Sequence, residues 1–190
     1  MNPTPEPQRE NFLKEIFKFS LIALLIVVPI RFFIAQPFIV SGASMDPTFN
    51  SGQYLIIDQL SYRFSEPQRG EVIIFRYPKD QTKFFIKRII GLPNETIEIH
   101  GTTITVINKD NPNGFELTEP YLAAANVKRD SLQLSLSENE YFVIGDNRRA
   151  SLDSRIWGPL EEALIIGRAF VRLFPVSEID LFPGTAVNSY

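Results

Sequence analysis

The division of the chain into short apolar runs is the feature that most restricts its fold. Runs rich in β-branched and aromatic residues, separated by Gly, Pro and Asn, follow one another as QYLIIDQLSY, GEVIIFRY, KFFIKRIIG, ETIEIHG, TTITVIN, EYFVIGDN and GRAFVRLFP. Such runs are typical of β-strands bounded by turns. Helical segments do not alternate with them as βαβ units require, so we predict a mainly β fold, a sandwich or barrel-like assembly of antiparallel strands.

The strand pattern weakens between Gly101 and Asn139, where polar residues dominate NKDNPNGFELTEPYLAAANVKRDSLQLSLSEN. We interpret residues 101–138 as a small cap inserted into a β-domain formed by residues 37–100 and 139–190.

One short segment, GPLEEAL, has the features of a soluble helix. Pro159 suits the first helical position. Glu161 and Glu162 favour the positive end of a helix dipole. We therefore expect one helical turn there.

An apolar segment precedes the β region. The sequence NFLKEIFKFSLIALLIVVPIRFFIAQPFIV is uncharged from Phe19 to Ile30, a length that suits a buried helix, a signal-peptide core or part of a membrane span. A span over residues 16–36 is long enough if Arg31 lies near its end, where the side chain can reach the headgroups. We predict one N-terminal transmembrane helix at residues 16–36, after a tail at residues 1–15.

The basic residues around this segment indicate its orientation. Three of them precede its apolar core: Arg9, Lys14 and Lys18. After Arg31 no Lys or Arg follows until Arg63, so the tail is expected in the cytoplasm and the β region on the extracytoplasmic side. A cleaved signal peptide with its site at residues 41–43 is the alternative, but Arg31 and the mixed residues after it separate the apolar core from that site.

The composition removes several kinds of chemistry. The chain has no Cys, which excludes cysteine nucleophiles, disulfides and thiolate metal sites. Its single His, His100, ends an alternating strand, where histidine is usually structural or exposed, so we do not expect a histidine base. The 19 basic and 22 acidic residues form no long run of either sign, so nucleic acid is not an expected partner. No cofactor or metal is expected either.

Two segments place a potential nucleophile and a potential base. Ser44 lies in VSGASMDPTF, among small residues that let another backbone approach, although a Ser in such a turn is usually only a loop residue. In KFFIKRIIGLP, period-two alternation puts Lys87 on one strand face with Phe85 and Ile89. A buried lysine has a lowered pKa and can accept a proton. The alternative is a lysine that points to solvent from an edge strand.

A third segment, GDNRRASLDSRIWG at residues 145–158, concentrates charged and amide side chains. Such a density of polar groups indicates either a network that fixes a loop or an ordinary solvated loop.

These segments occur in a recognisable order. After an N-terminal apolar segment, SGASMDPTF, GEVIIFRYP, KRIIGLP and GDNRRASLDSRIWG closely resemble the characteristic boxes of type I signal peptidases, the membrane-bound Ser-Lys proteases of bacteria (peptidase S26-like). The resemblance covers most of residues 11–175 apart from the inserted region. It implies that Ser44 is the nucleophile, that Lys87 is the general base, and that Ser151 orients the lysine by a hydrogen bond.

The resemblance also assigns supporting roles in the last box. Asp153 and Arg155 match an acidic and basic pair that supports the loop, and Asp146 and Asn147 match its opening turn. Some family members carry a Ser two positions before the nucleophile, whose hydroxyl helps to bind the oxyanion, but this chain has Gly42 there. The oxyanion would then be held by backbone N–H groups, with Ser44 N–H one donor and the second unassigned.

The substrate that the resemblance implies is a secretory precursor with small residues at the first and third positions before the cut, as in Ala-X-Ala. By match to family positions, four side chains would line shallow apolar pockets: Phe38, Val40, Met45 and Ile86. An extended substrate could add a strand beside QPFIVSG and KFFIK. The membrane could be a plasma, thylakoid or organellar membrane.

Two other functions stay open at this point. Another Ser-Lys protease on a similar β-fold, such as a self-cleaving repressor, would act in cis. A membrane-tethered binding module would use the polar loop for recognition, without catalysis.

Overall fold

The computed structural model describes residues 9–29 and 35–185. Within them lie an N-terminal helix and two β-sheets, one of eight strands and one of four. Every strand pair is antiparallel. The prediction of a mainly β, antiparallel fold is confirmed.

The elements follow in chain order: α1 (Arg9–Pro29), β1 (Ala35–Ile39), β2 (Tyr54–Asp58), β3 (Val72–Tyr77), β4 (Asp80–Gly91), β5 (Thr96–Gly101), β6 (Thr103–Ile107), β7 (Phe115–Glu116), β8 (Asp130–Ser135), β9 (Glu140–Ile144), α2 (Ser154–Trp157), β10 (Leu160–Glu161), β11 (Ile165–Phe174) and β12 (Asp180–Leu181). Short 3₁₀ turns cover Ser61–Arg63, Ala124–Asn126, Glu162–Leu164 and Val176–Glu178.

The larger sheet has the order β1-β2-β11-β3-β4-β9-β10, with β12 beside β11. Because each neighbouring pair from β1 to β4 is antiparallel, β1 and β4 run in the same direction. β9 pairs with β4 only from Arg88 to Gly91, so the first half of β4 has one edge without a partner strand among the described residues. The rings of Phe38 in β1 and Phe84 in β4 lie 5.4 Å apart, and the two edges therefore face a common space.

The smaller sheet, β7-β6-β5-β8, packs on the larger one through an apolar core. Ile97 and Ile99 of β5 face Phe142 and Ile144 of β9. The sequence placed residues 96–100 in the main β-domain, but they pair with β6 and β8. The second sheet therefore begins at Thr96 and not at Gly101, because the buried isoleucines of β5 need the cover of this second layer.

The helical turn predicted at residues 158–164 is confirmed only for Glu162–Leu164, which form a 3₁₀ turn, and no α-helix lies there. The nearby α-helix is α2, which ends before this segment at Trp157, and residues 160–161 form β10. Leu160 is fully buried and pairs with Tyr141 of β9, so tertiary pairing outweighs the local helix signals. α2 begins where the Asp153 carboxylate accepts a hydrogen bond from Arg155 N, which is an N-cap.

Helix α1 covers part of the span that the sequence predicted at residues 16–36, and residues 30–34 lie outside the described residues. Side chains from Phe12 to Val28 are exposed. The first half of the helix carries Lys14, Glu15 and Lys18. Across residues 9–29 and 35–185, no helix combines the length and the apolar character that crossing a membrane requires.

A buried ion pair joins β4 to the loop after β9. Arg88 Nε donates to Asp146 Oδ1 at 2.9 Å and its second terminal nitrogen donates to Oδ2 at 2.6 Å. Both residues are fully buried. Arg88 also donates to Gly70 O at 2.8 Å, and Thr48 Oγ1 donates to Asp146 Oδ2 at 2.5 Å. The pair thus connects β4, the loop after β9 and the segment after β1.

Removal of one charge from this pair is expected to destabilise the fold. Asp146→Asn leaves the Arg88 guanidinium buried without its counter-ion, and we expect a loss of about 3–5 kcal/mol in the free energy of unfolding. Urea denaturation of the full chain in detergent micelles measures it. Asp80→Asn, which breaks the exposed 2.9 Å pair with Lys83, is the matched control and should change little. Equal, small effects of both variants would contradict the assignment of Arg88–Asp146 as a structural tie.

Candidate active site

Ser44 and Lys87 meet although they come from different elements. Ser44 lies in the turn after β1, and Lys87 lies in β4. Lys87 Nζ donates to Ser44 Oγ at 2.7 Å and to Ile86 O at 2.8 Å. Lys87 is only 3% exposed. The alternative that it points to solvent is therefore wrong.

The surroundings of Lys87 change its protonation. Burial lowers the pKa of Lys87 to about 8, while the negative charges of Asp153 and Asp146 partly oppose that decrease. The ring of Phe85 lies 5.2 Å from Nζ. With this pKa, roughly a tenth of the amine is neutral at pH 7. When Lys87 is charged, its Nζ donates a hydrogen bond to Ser44 Oγ. When Lys87 is neutral, Nζ can accept the Ser44 hydroxyl proton across the same contact.

The turn that presents Ser44 has a conformation that depends on glycine. Gly42 has φ +90°, a value that favours glycine, and a Cβ at this position would meet nothing within 4 Å. Backbone conformation, and not lack of space, therefore disfavours a Ser at position 42. This chain thus has Gly42 where some members of the resembled family have Ser, and the backbone at Gly42 is in the left-handed region.

The loop at residues 145–158 lies directly against the Ser44 turn. Asn147 N donates to Ser44 O at 3.0 Å. A Cβ on Gly145 would overlap Ser44 O and Ser151 Oγ, so only glycine allows this approach. Asn147 Oδ1 accepts from Ala150 N at 3.2 Å and closes the turn.

Asp153 and Arg155 form the pair that the resemblance implied. Arg155 Nε donates to Asp153 Oδ1 at 2.8 Å, and Arg155 also donates to Asp130 Oδ2 at 2.7 Å. Asp153 Oδ2 accepts from Gly145 N at 3.2 Å. Five side chains of the loop are buried: Asp146, Arg148, Ser151, Asp153 and Ser154. The loop is a polar network, and the solvated-loop alternative is wrong.

Ser151 does not make the hydrogen bond to Lys87 that was expected. Its Oγ is buried and has no hydrogen-bond partner within the described residues. Lys87 Nζ is instead directed toward Ser44 Oγ and Ile86 O. Ser151 is thus brought to the site, with its hydroxyl against Gly145, but without the orienting contact.

A cleft of about 450 Å³ opens beside Ser44 and Lys87. Three of the predicted pocket residues line it: Phe38, Val40 and Ile86. Met45 does not, because its side chain is 1% exposed and packs in the core with Phe49 and Leu55. The turn that presents Ser44 to the cleft directs the next side chain inward.

The sequence analysis did not identify some of the residues around the site. Leu152 and Phe84 also line the cleft. Leu152 lies in a polar loop and is 41% exposed. No pattern in the sequence indicates that this apolar side chain faces the cleft. Thr48 and Arg88 were not assigned roles, yet both hold Asp146. Across the described part of the chain, no three His, Asp or Glu side chains group so that they could hold a metal ion.

Comparisons with known proteins place this chain in a family. The sequence profile of the family described as "Signal peptidase, peptidase S26" matches residues 13–174. A protein of Synechocystis named probable signal peptidase I-2 is 35% identical over 95% of this chain and 82% of its own length. The signal peptidase I of Bacillus licheniformis is 30% identical over 94% of this chain and 98% of its own length.

One solved structure is also similar. A crystal structure of a signal peptidase I from Enterococcus faecalis is 35% identical, covers 55% of this chain and 97% of its own, and superposes with a TM-score of 0.47. The match of the family profile and the near full-length similarity to the relatives lead to one assignment. The chain belongs to the signal peptidase family, peptidase S26, and is a peptide-bond hydrolase.

Proposed function

We propose that the chain is a membrane-anchored serine endopeptidase that removes signal peptides from exported precursors, with Ser44 as nucleophile and Lys87 as general base. The observation that carries this proposal is the 2.7 Å contact between Ser44 Oγ and a buried Lys87 Nζ at the edge of an apolar cleft. Relatives with near full-length similarity are named probable signal peptidase I-1 and signal peptidase I, and we extend that activity to this chain.

The reaction is an acyl transfer in two steps. Neutral Lys87 takes the proton of Ser44 Oγ as the oxygen attacks the scissile carbonyl carbon, and the resulting ammonium gives that proton to the departing amine. The product is an ester of Ser44 with the signal peptide. Lys87, neutral again, takes a proton from water, whose oxygen attacks the ester carbon, and the proton then returns to Ser44 Oγ as the peptide leaves as a carboxylic acid.

The carbonyl oxygen gains negative charge in both steps and needs hydrogen-bond donors. Ser44 N–H makes no hydrogen bond to another described residue, so it is available as one donor. Gly42 supplies no hydroxyl. The site therefore depends on backbone N–H groups, whose positions follow from the turn that Gly42 permits.

We place the substrate between the edges of β1 and β4 that have no partner strand among the described residues. β1 and the first half of β4 flank the cleft and run in the same direction, so an extended peptide can pair with either edge and present alternate side chains to the wall. Phe38, Val40 and Ile86 make that wall apolar. Its floor is closed by the buried core beneath Val40, and small side chains such as those of an Ala-X-Ala sequence suit this depth.

We further propose that α1 anchors the chain in a membrane with the β-domain on the extracytoplasmic side. Support comes from the exposed apolar side chains of α1, including Leu21, Leu24 and Leu25, and from Lys14 and Lys18, whose long side chains can reach the cytoplasmic headgroups. This arrangement places the cleft near the lipid surface, where an exported precursor emerges. Signal peptides and the bilayer are then the partners of the chain.

Replacement of either member of the dyad should abolish turnover. We expect Ser44→Ala and Lys87→Met to lower kcat by at least about 1,000-fold on a labelled precursor with an Ala-X-Ala site. Both should stay folded, since Met fills the volume of a buried Lys without its charge. Lys79→Met, on the exposed β3–β4 turn, is the control and should keep the activity of the wild type. Undiminished cleavage of the precursor by either dyad variant would contradict the proposal. A wild-type chain that cleaves itself but not the precursor would contradict it as well.

The rate should follow the deprotonation of Lys87. Because its pKa is lowered to about 8 and the neutral amine is the active form, kcat should rise with pH, reach half its maximum near pH 8 and level off above it. Single-turnover rates of the precursor between pH 6 and 10 measure this. A midpoint near that of an ordinary lysine, about 10.4, would contradict a buried lysine base.

The anchor can be tested in cells. When the full chain is expressed in a bacterium, we expect it to stay in the membrane fraction after alkaline carbonate extraction. Protease added to intact spheroplasts should digest the β-domain, and a cytoplasmic marker protein in the same sample should survive. Release by carbonate, or a β-domain that is degraded only after lysis, would contradict the proposed orientation.

A further inference from the structure

The inserted region contacts the site through one irregular segment. Residues 119–127, here called the strap, lie between β7 and β8 and belong to neither sheet. Their only regular element is the 3₁₀ turn Ala124–Asn126. The strap reaches all three segments that build the site: the Ser44 turn, β4 and the loop at residues 145–158.

The contact with the Ser44 turn is made by an amide. Asn126 Nδ2 donates to Asp46 O at 2.8 Å. Asp46 closes the turn that contains Ser44, since its own N–H donates to Ala43 O at 3.3 Å. Asn126 therefore fixes the far side of a turn whose near side presents the nucleophile.

The contact with β4 is made by an aromatic ring. The Tyr121 ring lies 3.8 Å from the guanidinium carbon of Arg88, which follows Lys87 directly in the strand. Tyr121 OH donates to Glu119 Oε1 at 2.7 Å. The ring covers the Arg88 side chain whose other contacts hold Asp146, so it restrains the strand residue next to the proposed base.

The contacts with the loop are ionic and polar. Glu119 and Arg148 form an ion pair in which both side chains are more than nine-tenths buried. Arg149 Nε donates to Val127 O at 3.0 Å. Each end of the strap is thus fastened to the loop that packs on Ser44.

We infer that the strap positions the site: Asn126 and Tyr121 hold the Ser44 turn and the Lys87 strand in the register that keeps their hydrogen bond. The inference rests on the proposed function. Ser44 and Lys87 belong to separate elements, and their alignment depends on what fixes those elements. A shift of about 1 Å between reacting groups can cost on the order of 100-fold in rate. Neither Asn126 nor Tyr121 lines the cleft, so both act as positioning residues.

This role predicts a split between kcat and KM. Asn126→Ala removes the hydrogen bond to Asp46 O, and we expect kcat to fall by about tenfold. KM should stay within about twofold, because the cleft wall is untouched. The full chain in detergent micelles is assayed with the labelled precursor at a temperature well below the Tm of each variant. A contribution to stability alone would lower Tm and leave kcat unchanged.

A second amide of the inserted region supplies the matched control. Asn108 Nδ2 donates to Glu95 Oε1 at 2.9 Å, a bond of similar length that touches none of the three site segments. Asn108→Ala should leave kcat at the wild-type value, whatever it does to Tm. An equal fall of kcat in Asn108→Ala and Asn126→Ala would overturn the inference.

A pair of variants at Tyr121 tests the second contact independently. Tyr121→Phe keeps the ring over Arg88 and should retain at least half of kcat, whereas Tyr121→Leu removes the ring and should lower kcat several-fold at unchanged KM. Wild-type kcat in both Asn126→Ala and Tyr121→Leu would overturn the inference while the dyad stands. A wild-type chain that cleaves no precursor would instead contradict the proposed function, and the inference would fall with it.

Discussion

The buried Arg88–Asp146 pair is the interaction on which the site depends. It joins β4 to the loop after β9, and Thr48 adds the segment after the nucleophile turn to the same carboxylate. Two buried charges are tolerated only where their hydrogen-bonding groups are satisfied, and Gly70 O accepts a further N–H of Arg88. Lys87 precedes Arg88 in the strand, so the tie that fixes one side of β4 also fixes the backbone that carries the proposed base.

The same packing gives Lys87 its chemistry. Burial alone would lower the pKa of Lys87 further, but the carboxylates of Asp146 and Asp153 partly oppose it, and the balance lies at about 8. Each carboxylate is neutralised by its own arginine, Arg88 or Arg155. The polar loop therefore supports the fold and also adjusts the pKa of Lys87. Gly145 allows the loop to lie close to Ser44.

Much of this could be predicted from the sequence, because it depends on local patterns. Alternation along β4 placed Lys87 on a strand face, and the density of charges in residues 145–158 made a network one of two alternatives, which the burial of these side chains decides. What could not be predicted depends on tertiary packing. Met45 follows the nucleophile yet turns into the core. Ser151 approaches the site without bonding to the lysine.

The second sheet and the strap were harder to predict from the sequence, because they too depend on tertiary packing. β5 resembles any alternating strand, and only its partners, β6 and β8, place it in the smaller sheet. β8 alternates exposed and half-buried residues, so its polar positions weaken the apolar pattern that identifies a strand. The strap has no periodicity at all, and its contacts with Asp46 and Arg88 join residues far apart in sequence.

The proposed mechanism requires Lys87 to be a buried lysine that can be neutral near physiological pH. The most direct measurement is an NMR titration of the full chain in detergent micelles with isotopically labelled lysine, where Lys87→Met assigns the Lys87 signal by its loss. We expect a titration midpoint near pH 8 for Lys87, well below that of exposed lysines. A midpoint near 10.4, the ordinary value for lysine, would contradict it.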